Sequence, residues 1–364
     1  MISFKPTEEQ ELIIETVRRY ATERMRPAAH DADEHRVVPP EIITRGWDLG
    51  LLPSAIPEQY GGFGESHSAI TGALAAEELA YGDLAMALYL LTPNLFGIPV
   101  LHCGTEDQKQ QWLPRLTDAV YTPLTAALVE PRWDFDPLAL HTTAERAQSS
   151  YVLNGHKAYV PLAAEAQAIL VYAREGGATQ AFIVERGTNG LTVLEREQHM
   201  GIRALPTYEV KLEDVRVPRA ARLGGENGSD AGLLLNYARV ALASLAAGVA
   251  RGAYEYARDY AKQREAFGRP IAQFQAVAFM LAEMAIEVEA SRAMAWEAAW
   301  TLDQGKDATQ AAALAKHYAD EAALFVTDRA VQVLGGHGYI REHPVERWLR
   351  NARGFTATLG LAMI

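Results

Sequence analysis

Two arginine- and glycine-bearing motifs, and a tail without carboxylates, carry most of the chemical information in this sequence. REAFGRP sets Arg264 three residues before Phe267. A guanidinium suits phosphate by its charge and its forked donors. On spacing alone the same stretch reads as a solvated Arg at a helix start with a core Phe. QVLGGHG (Gln332–Gly338) holds the adjacent glycines Gly335 and Gly336. Such a pair lets backbone approach a ligand closely, although Gly-Gly also ends helices. VEPRWDFD (Val129–Asp136) mixes Asp134 and Asp136 with Trp133 and Phe135. Asp134 is a weak candidate for a general base, and a solvent-facing loop acid is the plainer reading. His199, His337 and His343 sit in or beside motif stretches but read as structural. The tail RNARGFTATLGLAMI (Arg350–Ile364) contains no carboxylate, the last one being Glu346.

Three blocks of different periodicity must position these residues. From Thr7 to about Ala119 the spacing is helical. Thr7 and Gln10 form a capping-box pattern, with Leu12, Ile13, Val17, Tyr20 and Ala21 at helix spacing behind them. Ser68–Leu91 reads as one helix buried on most sides, and Gly104–Leu116 as a short surface helix. From about Tyr121 to Glu226 the pattern is β. YVLNGHKAYV (Tyr151–Val160) places Asn154-Gly155 between two β-prone runs, which predicts a hairpin turn. AILVYA and AFIVE flank a second Gly-rich turn, and YEVKL alternates. Without long helices between the strands, an antiparallel barrel or sandwich is expected rather than a βαβ sheet. After Gly228 the chain is helical again, and Phe274, Val277, Leu281, Met284 and Val288 make one seam of a helix reaching about Asp303. The expected units are residues 1–119, 120–226 and 227–364.

The 364 residues are 49 % hydrophobic and 22 % charged, which suits more than one well-packed folding unit. A net charge of −12 argues against nucleic acid or an anionic membrane as partner. The single cysteine, Cys103, excludes an internal disulfide and a cysteine-rich metal site. The start MISFKPTEEQ lacks the pattern of a signal peptide, and no uninterrupted apolar run reaches spanning length. A cytoplasmic protein is therefore expected.

Helices, a β block and then a helical bundle, with IPEQYGG, GTEDQKQQWLPRL, NGHKAYV, MGIRALPTYEVKLEDVRVP, REAFGRPIAQFQ and AVQVLGGHGYIREHPVERWLRNAR in that order, resemble the acyl-CoA dehydrogenase family over nearly the whole chain. The resemblance implies an α+β fold: an N-terminal all-α domain, a middle antiparallel β-barrel or sandwich, and a C-terminal four-helix bundle. It also implies FAD as cofactor, a homo-oligomer (dimer or tetramer), and a substrate that is an acyl-CoA or acyl-carrier-protein thioester. A hydride would pass to the flavin while a carboxylate takes the neighbouring proton. Residue by residue, it implies that Arg264 reaches the pyrophosphate of a neighbouring subunit's FAD, that Phe267 packs near the adenine end and Gln275 faces the cofactor, and that Gln332, Gly335 and Gly336 serve the adenosine side. Leu128, Val129, Phe135, Tyr159 and Pro161 would fall at the flavin end, with Phe135 and Arg239 toward substrate. Glu130 and Pro131 match the family pattern there. Arg132, Trp133 and Phe135 replace its small residues, and Pro161 brings no hydroxyl or N–H donor.

The same register places Leu359 where the family's glutamate base usually stands, nine residues after Arg350. In a branch of the family the base precedes the Arg that corresponds to Arg239, and Ala238 stands there. Both positions are apolar, and losing a positioned base costs about 10² to 10⁴ in rate. The resemblance further implies another helical turn where the sequence reaches Ile364. The leading expectation is a flavoprotein oxidoreductase for an acyl thioester, with electron-transfer flavoprotein as a redox partner. The alternatives are a non-catalytic partner subunit that completes FAD sites in a hetero-oligomer, and an acyl-CoA-binding scaffold.

Overall fold

The computed structural model describes residues 5–355 and 359–364, so the quoted N-terminal stretch begins outside the described residues. Helices come first: α1 (Glu8–Tyr20), α2 (Arg26–His35), α3 (Pro40–Trp47), α4 (Leu51–Ser54), α5 (Ala69–Gly82), α6 (Leu84–Leu91), α7 (Asn94–Cys103) and α8 (Glu106–Trp112). The Thr7–Gln10 capping box is formed in both directions, and Thr105 with Gln108 forms a second one on α8. Ser68–Leu91 is two helices rather than one. Asp83, in extended conformation, ends α5 and caps α6 by accepting from Met86 N at 3.1 Å. Its other oxygen faces the buried Arg347 at 3.6 Å. An acid in an apolar run thus serves as a helix start with a buried counter-ion. The Gly104–Leu116 stretch is also less exposed than expected, since Gln108, Trp112, Leu113 and Leu116 are buried.

The middle block is a seven-stranded sheet: β1 (Thr125–Ala127), β2 (Thr143–Arg146), β3 (Ser150–Pro161), β4 (Ala168–Glu175), β5 (Ala178–Glu185), β6 (Leu191–Arg196) and β7 (Thr207–Pro218). Its order is β1-β4-β2-β3-β7-β6, with β5 on β4. Most pairs are antiparallel, but β1 and β2 both meet β4 in parallel. The crossover that a parallel pair needs is supplied by strands instead of a helix. Leu170 and Tyr172 of β4 join the main core, while Ile169 and Val171 point to a second apolar cluster with Tyr151, Phe182 and Val210. This strand is therefore buried on both faces.

Asn154-Gly155 is not a hairpin turn. β3 runs straight through it, with a register shift against β7 between Leu153 and Gly155. The left-handed residue is Asp214 on the opposite strand (φ 53°), and its N–H donates to Asn154 Oδ1 at 2.8 Å. Gly155 is needed for space: a Cβ there would lie 2.4 Å from Thr142 Oγ1. Bulges and close backbone approach are the other uses of a strand glycine. The second predicted turn does form, with Gly176 and Gly177 both at positive φ between β4 and β5.

The C-terminal block contains α9 (Ala231–Gln263), a two-stranded hairpin of β8 (Glu265–Ala266) and β9 (Arg269–Pro270), α10 (Gln275–Asp303), α11 (Thr309–Leu334), α12 (Gly336–Tyr339) and α13 (Val345–Phe355). The helices α9, α10 and α11 pack on one another, α13 lies against α11 and α9, and α5 lies against α9 and α10. Leu84–Cys103 and Ala231–Gln263 are long and apolar enough to cross a membrane by composition, contrary to the sequence expectation. Each is 89 % buried within the fold over the relevant window, and the first is broken into α6 and α7.

Buried ion pairs lock the blocks together. Glu77 and Glu78 of α5 meet Arg251 of α9 at 2.7 and 2.6 Å, and Arg18 and Arg292 add to the same cluster. Asp33 of α2 accepts from Arg203, Arg341 and Arg350. One carboxylate thereby joins the N-terminal helices, the sheet loops and α13.

Candidate functional site

The antiparallel run of α9, α10 and α11 puts the end of α9, the start of α10 and the end of α11 on one side of the molecule. Tyr260, one turn before Arg264, reaches across to His337 Nδ1 at 3.2 Å, so the two sequence motifs meet there. Arg264 ends α9 in extended conformation and is exposed, and its guanidinium has no intrachain partner among the described residues. Phe267 and Gly268 are the positive-φ pair at the tip of the β8–β9 hairpin, and Phe267 is 97 % exposed. Gln275 begins α10, and Gln332, Gly335 and Gly336 are exposed at the end of α11. Gly335 takes φ 59° and ψ −130°, a conformation open to glycine alone. Gly336 has no such need, and a Cβ on it would meet nothing within 4 Å. His337 and His343 bond Tyr260 and Tyr256, which agrees with structural roles.

The flavin-side candidates lie on β3 and the loop after β1. Leu128 O accepts from Lys157 Nζ at 3.0 Å, and Val129 O accepts from Ala158 N at 2.9 Å. Lys157 is wholly buried and pairs with Glu130 at 3.2 Å. Burial pushes the lysine down to about 8, against the pull of the glutamate. Burial would raise Glu130, but the Lys157 charge and the N–H bonds from His141 and Thr142 outweigh it and hold the carboxyl at about 2. Arg132 bonds Glu130, Ala139 O and Asp134 at 3.1, 2.7 and 3.1 Å. Asp134 is thus an ion-paired loop acid, and Asp136 accepts from Leu138 N in a local turn. Trp133 is 98 % exposed, whereas Phe135 packs on the main core. Tyr159 sits at positive φ, 55°, at a bulge in β3, with its N–H on Glu197 and its ring 5.4 Å from His199. His199 itself contacts Thr207 Oγ1 at 2.7 Å. Pro161 is buried at the end of β3.

Ala238 and Gly360, the residue after Leu359, line one small cavity of about 20 Å³ together with Leu95, Ala126, Leu128 and Met363. One expected base position, Ala238, and the neighbour of the other thus meet at one cavity. Among the described residues lining this cavity none is acidic. Arg239 is half-buried and donates to Asn236 Oδ1 at 3.3 Å. Sequence reasoning did not single out Lys157 or a cluster beside this site. There His67 Nδ1 and His102 Nε2 lie 3.1 Å apart, with the Tyr237 ring stacked on His102 at 4.8 Å. Burial, reinforced by His102, pushes His67 down to about 3 and keeps it neutral. A lysine between two β-prone runs was the available signal for the first. For the second there was none, because these residues are 35 to 170 positions apart.

A dinucleotide asks for an unpaired cation near its pyrophosphate and backbone it can approach closely. Arg264 and the Gly335-Gly336 corner offer both, so the residues present fit FAD at that end.

Family models described as the acyl-CoA dehydrogenase N-terminal, middle and C-terminal domains match residues 7–119, 125–215 and 230–362. The chain is 36 % identical over 361 residues to the human mitochondrial short-chain specific acyl-CoA dehydrogenase, covering 95 % of this chain and 85 % of that one. It is 35 % identical over 368 residues to the caffeyl-CoA reductase-Etf complex subunit CarC of Acetobacterium woodii, covering 98 % and 96 %. The structure of butyryl-CoA dehydrogenase from Megasphaera elsdenii superposes with a TM-score of 0.89 at 32 % identity, covering 100 % of this chain and 96 % of that one.

Proposed function

Because this chain belongs to the acyl-CoA dehydrogenase family, whose members are FAD flavoproteins, we propose that it is a flavoprotein oxidoreductase for an acyl thioester linked to CoA or to a carrier protein. The observation that carries this reading is the exposed Arg264 beside the open Gly335-Gly336 corner, which fits a dinucleotide, in a chain that all three family models match. FAD, when bound, supplies the acceptor for a hydride from the acyl chain. Arg264 neutralises the pyrophosphate, Gly335 and Gly336 let it approach backbone, and Phe267, Gln275 and Gln332 contact the adenosine end. Leu128, Val129 and Tyr159 flank the ring system, Tyr159 by stacking. Pro161 donates nothing. Phe135 and Arg239 face the substrate. At the acyl α-carbon no carboxylate comes from Ala238 or Leu359, so neither position moves the proton.

That empty base position favours a second reading, a partner subunit that completes FAD sites beside a glutamate-bearing relative. Phe279 and Ile286, seven residues apart on α10 and 59 % and 65 % exposed, support assembly with another subunit. The likeness to CarC, a subunit of an Etf complex, supports electron-transfer flavoprotein as redox partner. Anaerobic addition of butyryl-CoA to the FAD-loaded protein separates the two. Bleaching of the flavin band by this chain alone supports the oxidoreductase. Bleaching only after mixing with a glutamate-bearing relative supports the partner subunit. No bleaching in either case overturns both.

A further inference from the structure

The cavity beside Ala238 has room for about one water. An acyl chain does not fit into it, and the space around it is filled by the chain itself. Leu361, Ala362, Met363 and Ile364 are all buried, at 0 to 4 % exposure. Gly360 and Met363 form part of the cavity wall. Contacts from several elements hold this segment. Asn94, at the start of α7, donates from Nδ2 to Met363 O at 3.1 Å in a buried bond. Gly72 of α5 faces Ile364 so closely that a Cβ added there would lie 2.8 Å from Ile364 Cβ. Gly360 lies on Leu128 and Val129, where an added Cβ would be 3.3 Å from Leu128 Cβ and 3.5 Å from Val129 Cγ2. The His67 ring meets the backbone of Ile364.

We propose that Gly360–Ile364 is a plug seated in the acyl cleft, displaced when an acyl thioester binds. The proposal rests on the acyl-thioester reading above. The segment presents apolar side chains to an apolar cleft and a carbonyl to a buried amide. An acyl thioester presents the same two features, an apolar chain and a carbonyl. Once Met363 leaves, the Asn94 amide needs another acceptor, so the cleft favours a ligand that brings one. The plug is part of the chain and is always present. It lowers apparent acyl affinity by the fraction of molecules in which it is seated.

Gly72→Ala tests this without changing a cavity-lining residue, by pressing on the plug at Ile364. Gly72 lies inside α5 at an ordinary helical position, where alanine is favoured, and the three atoms nearest the added methyl all belong to Ile364. Butyryl-CoA binding to the FAD-loaded protein is measured by calorimetry for the parent, for Gly72→Ala, and for a chain lacking residues 360–364. Loosening or removing the plug is expected to tighten butyryl-CoA binding by about tenfold or more, the factor of a plug seated in most molecules, and to leave CoA without an acyl group unchanged. In the parent, butyryl-CoA is expected to raise amide exchange at 361–364. Equal affinities, with 361–364 equally protected, overturn the plug and leave the acyl-thioester reading intact. If none of the three binds butyryl-CoA while all hold FAD, the acyl-thioester reading falls and the plug with it. Should the shortened chain fail to fold, Gly72→Ala and the exchange measurement decide.

Discussion

At one side of the bundle Arg264, Phe267, Gln332 and the Gly335-Gly336 corner stand exposed, and the Arg264 guanidinium has no partner among the described residues. At the other side of the candidate site Ala238 and the segment 360–364 are pressed into an apolar cleft with almost no free volume. In the first region the groups do little for the fold, and their residue types make sense only against a ligand. In the second every side chain stabilises the fold by burial, so the same contacts oppose a ligand. On the proposed reading, the first region holds the cofactor, and the cavity of the second has no acidic residue among the described residues that line it. The contrast teaches that exposed groups are free to meet a ligand, whereas groups already buried against the chain must give up those contacts before a ligand can replace them.

The largest test is to give the closed region an acid. Leu359→Glu, made together with Gly72→Ala to loosen the plug, is expected to speed flavin bleaching by butyryl-CoA by about 10² to 10⁴, the contribution of a positioned base. Stopped-flow absorbance measures it. No gain would mean that more than the acid is missing there. Next in size is the pair that braces the flavin-side loop. Glu130→Gln leaves the buried Lys157 charge without its counter-ion, Leu128 O remaining as an acceptor, and is expected to cost about 3–5 kcal/mol in urea unfolding. Replacing both by Leu and Met is expected to cost far less. The pair also sets an acid limit. The Glu130 carboxyl is held at about 2, below its ordinary 4.5. A depressed carboxyl contributes stability that is complete above about 4.5 and lost as pH falls toward about 2. Glu130→Gln removes this slope, which acid titrations of stability in both proteins would show.

The block order and the long helix ending at Asp303 could be read from periodicity alone, since apolar spacing reports burial directly. Asn154-Gly155 misled because the dipeptide permits a turn without requiring one. The glycine was fixed by Thr142, a neighbour that only the folded sheet supplies. Asp83 misled for a related reason: in sequence it is one polar residue in an apolar run, and its partner Arg347 lies far along the chain. Leu359 and Ala238 were legible as apolar residues, and the resemblance is what assigns them to positions where an acid is expected. The filling of their cleft by Met363 and Ile364 was not, because nothing in an apolar tail says which groove it enters.

The open region is tested by smaller changes. Arg264→Ala removes an exposed, unpaired guanidinium, so unfolding of the FAD-free protein should be unchanged. Losing charge-assisted bonds worth about 1.5–3 kcal/mol should weaken FAD binding by about 10- to 100-fold, read by flavin fluorescence titration. Arg264→Lys should recover part of it by charge without the fork. If FAD binds equally well in all three, the open region is not the cofactor end.

Gly336→Ala is the mildest probe and the most selective. The residue opens α12, its φ is ordinary, and the added methyl would meet nothing in the chain. Stability of the FAD-free protein should therefore change by no more than about 0.5 kcal/mol. Gly335→Ala would be uninformative by comparison, because its φ of 59° with ψ of −130° strains any side chain whether or not a ligand is present. A several-fold loss of FAD affinity in Gly336→Ala, with unfolding unchanged, would mean that the glycine is there for something that approaches from outside. Unchanged affinity would return Gly335-Gly336 to a helix-ending turn, and the open region would then rest on Arg264 and Phe267 alone.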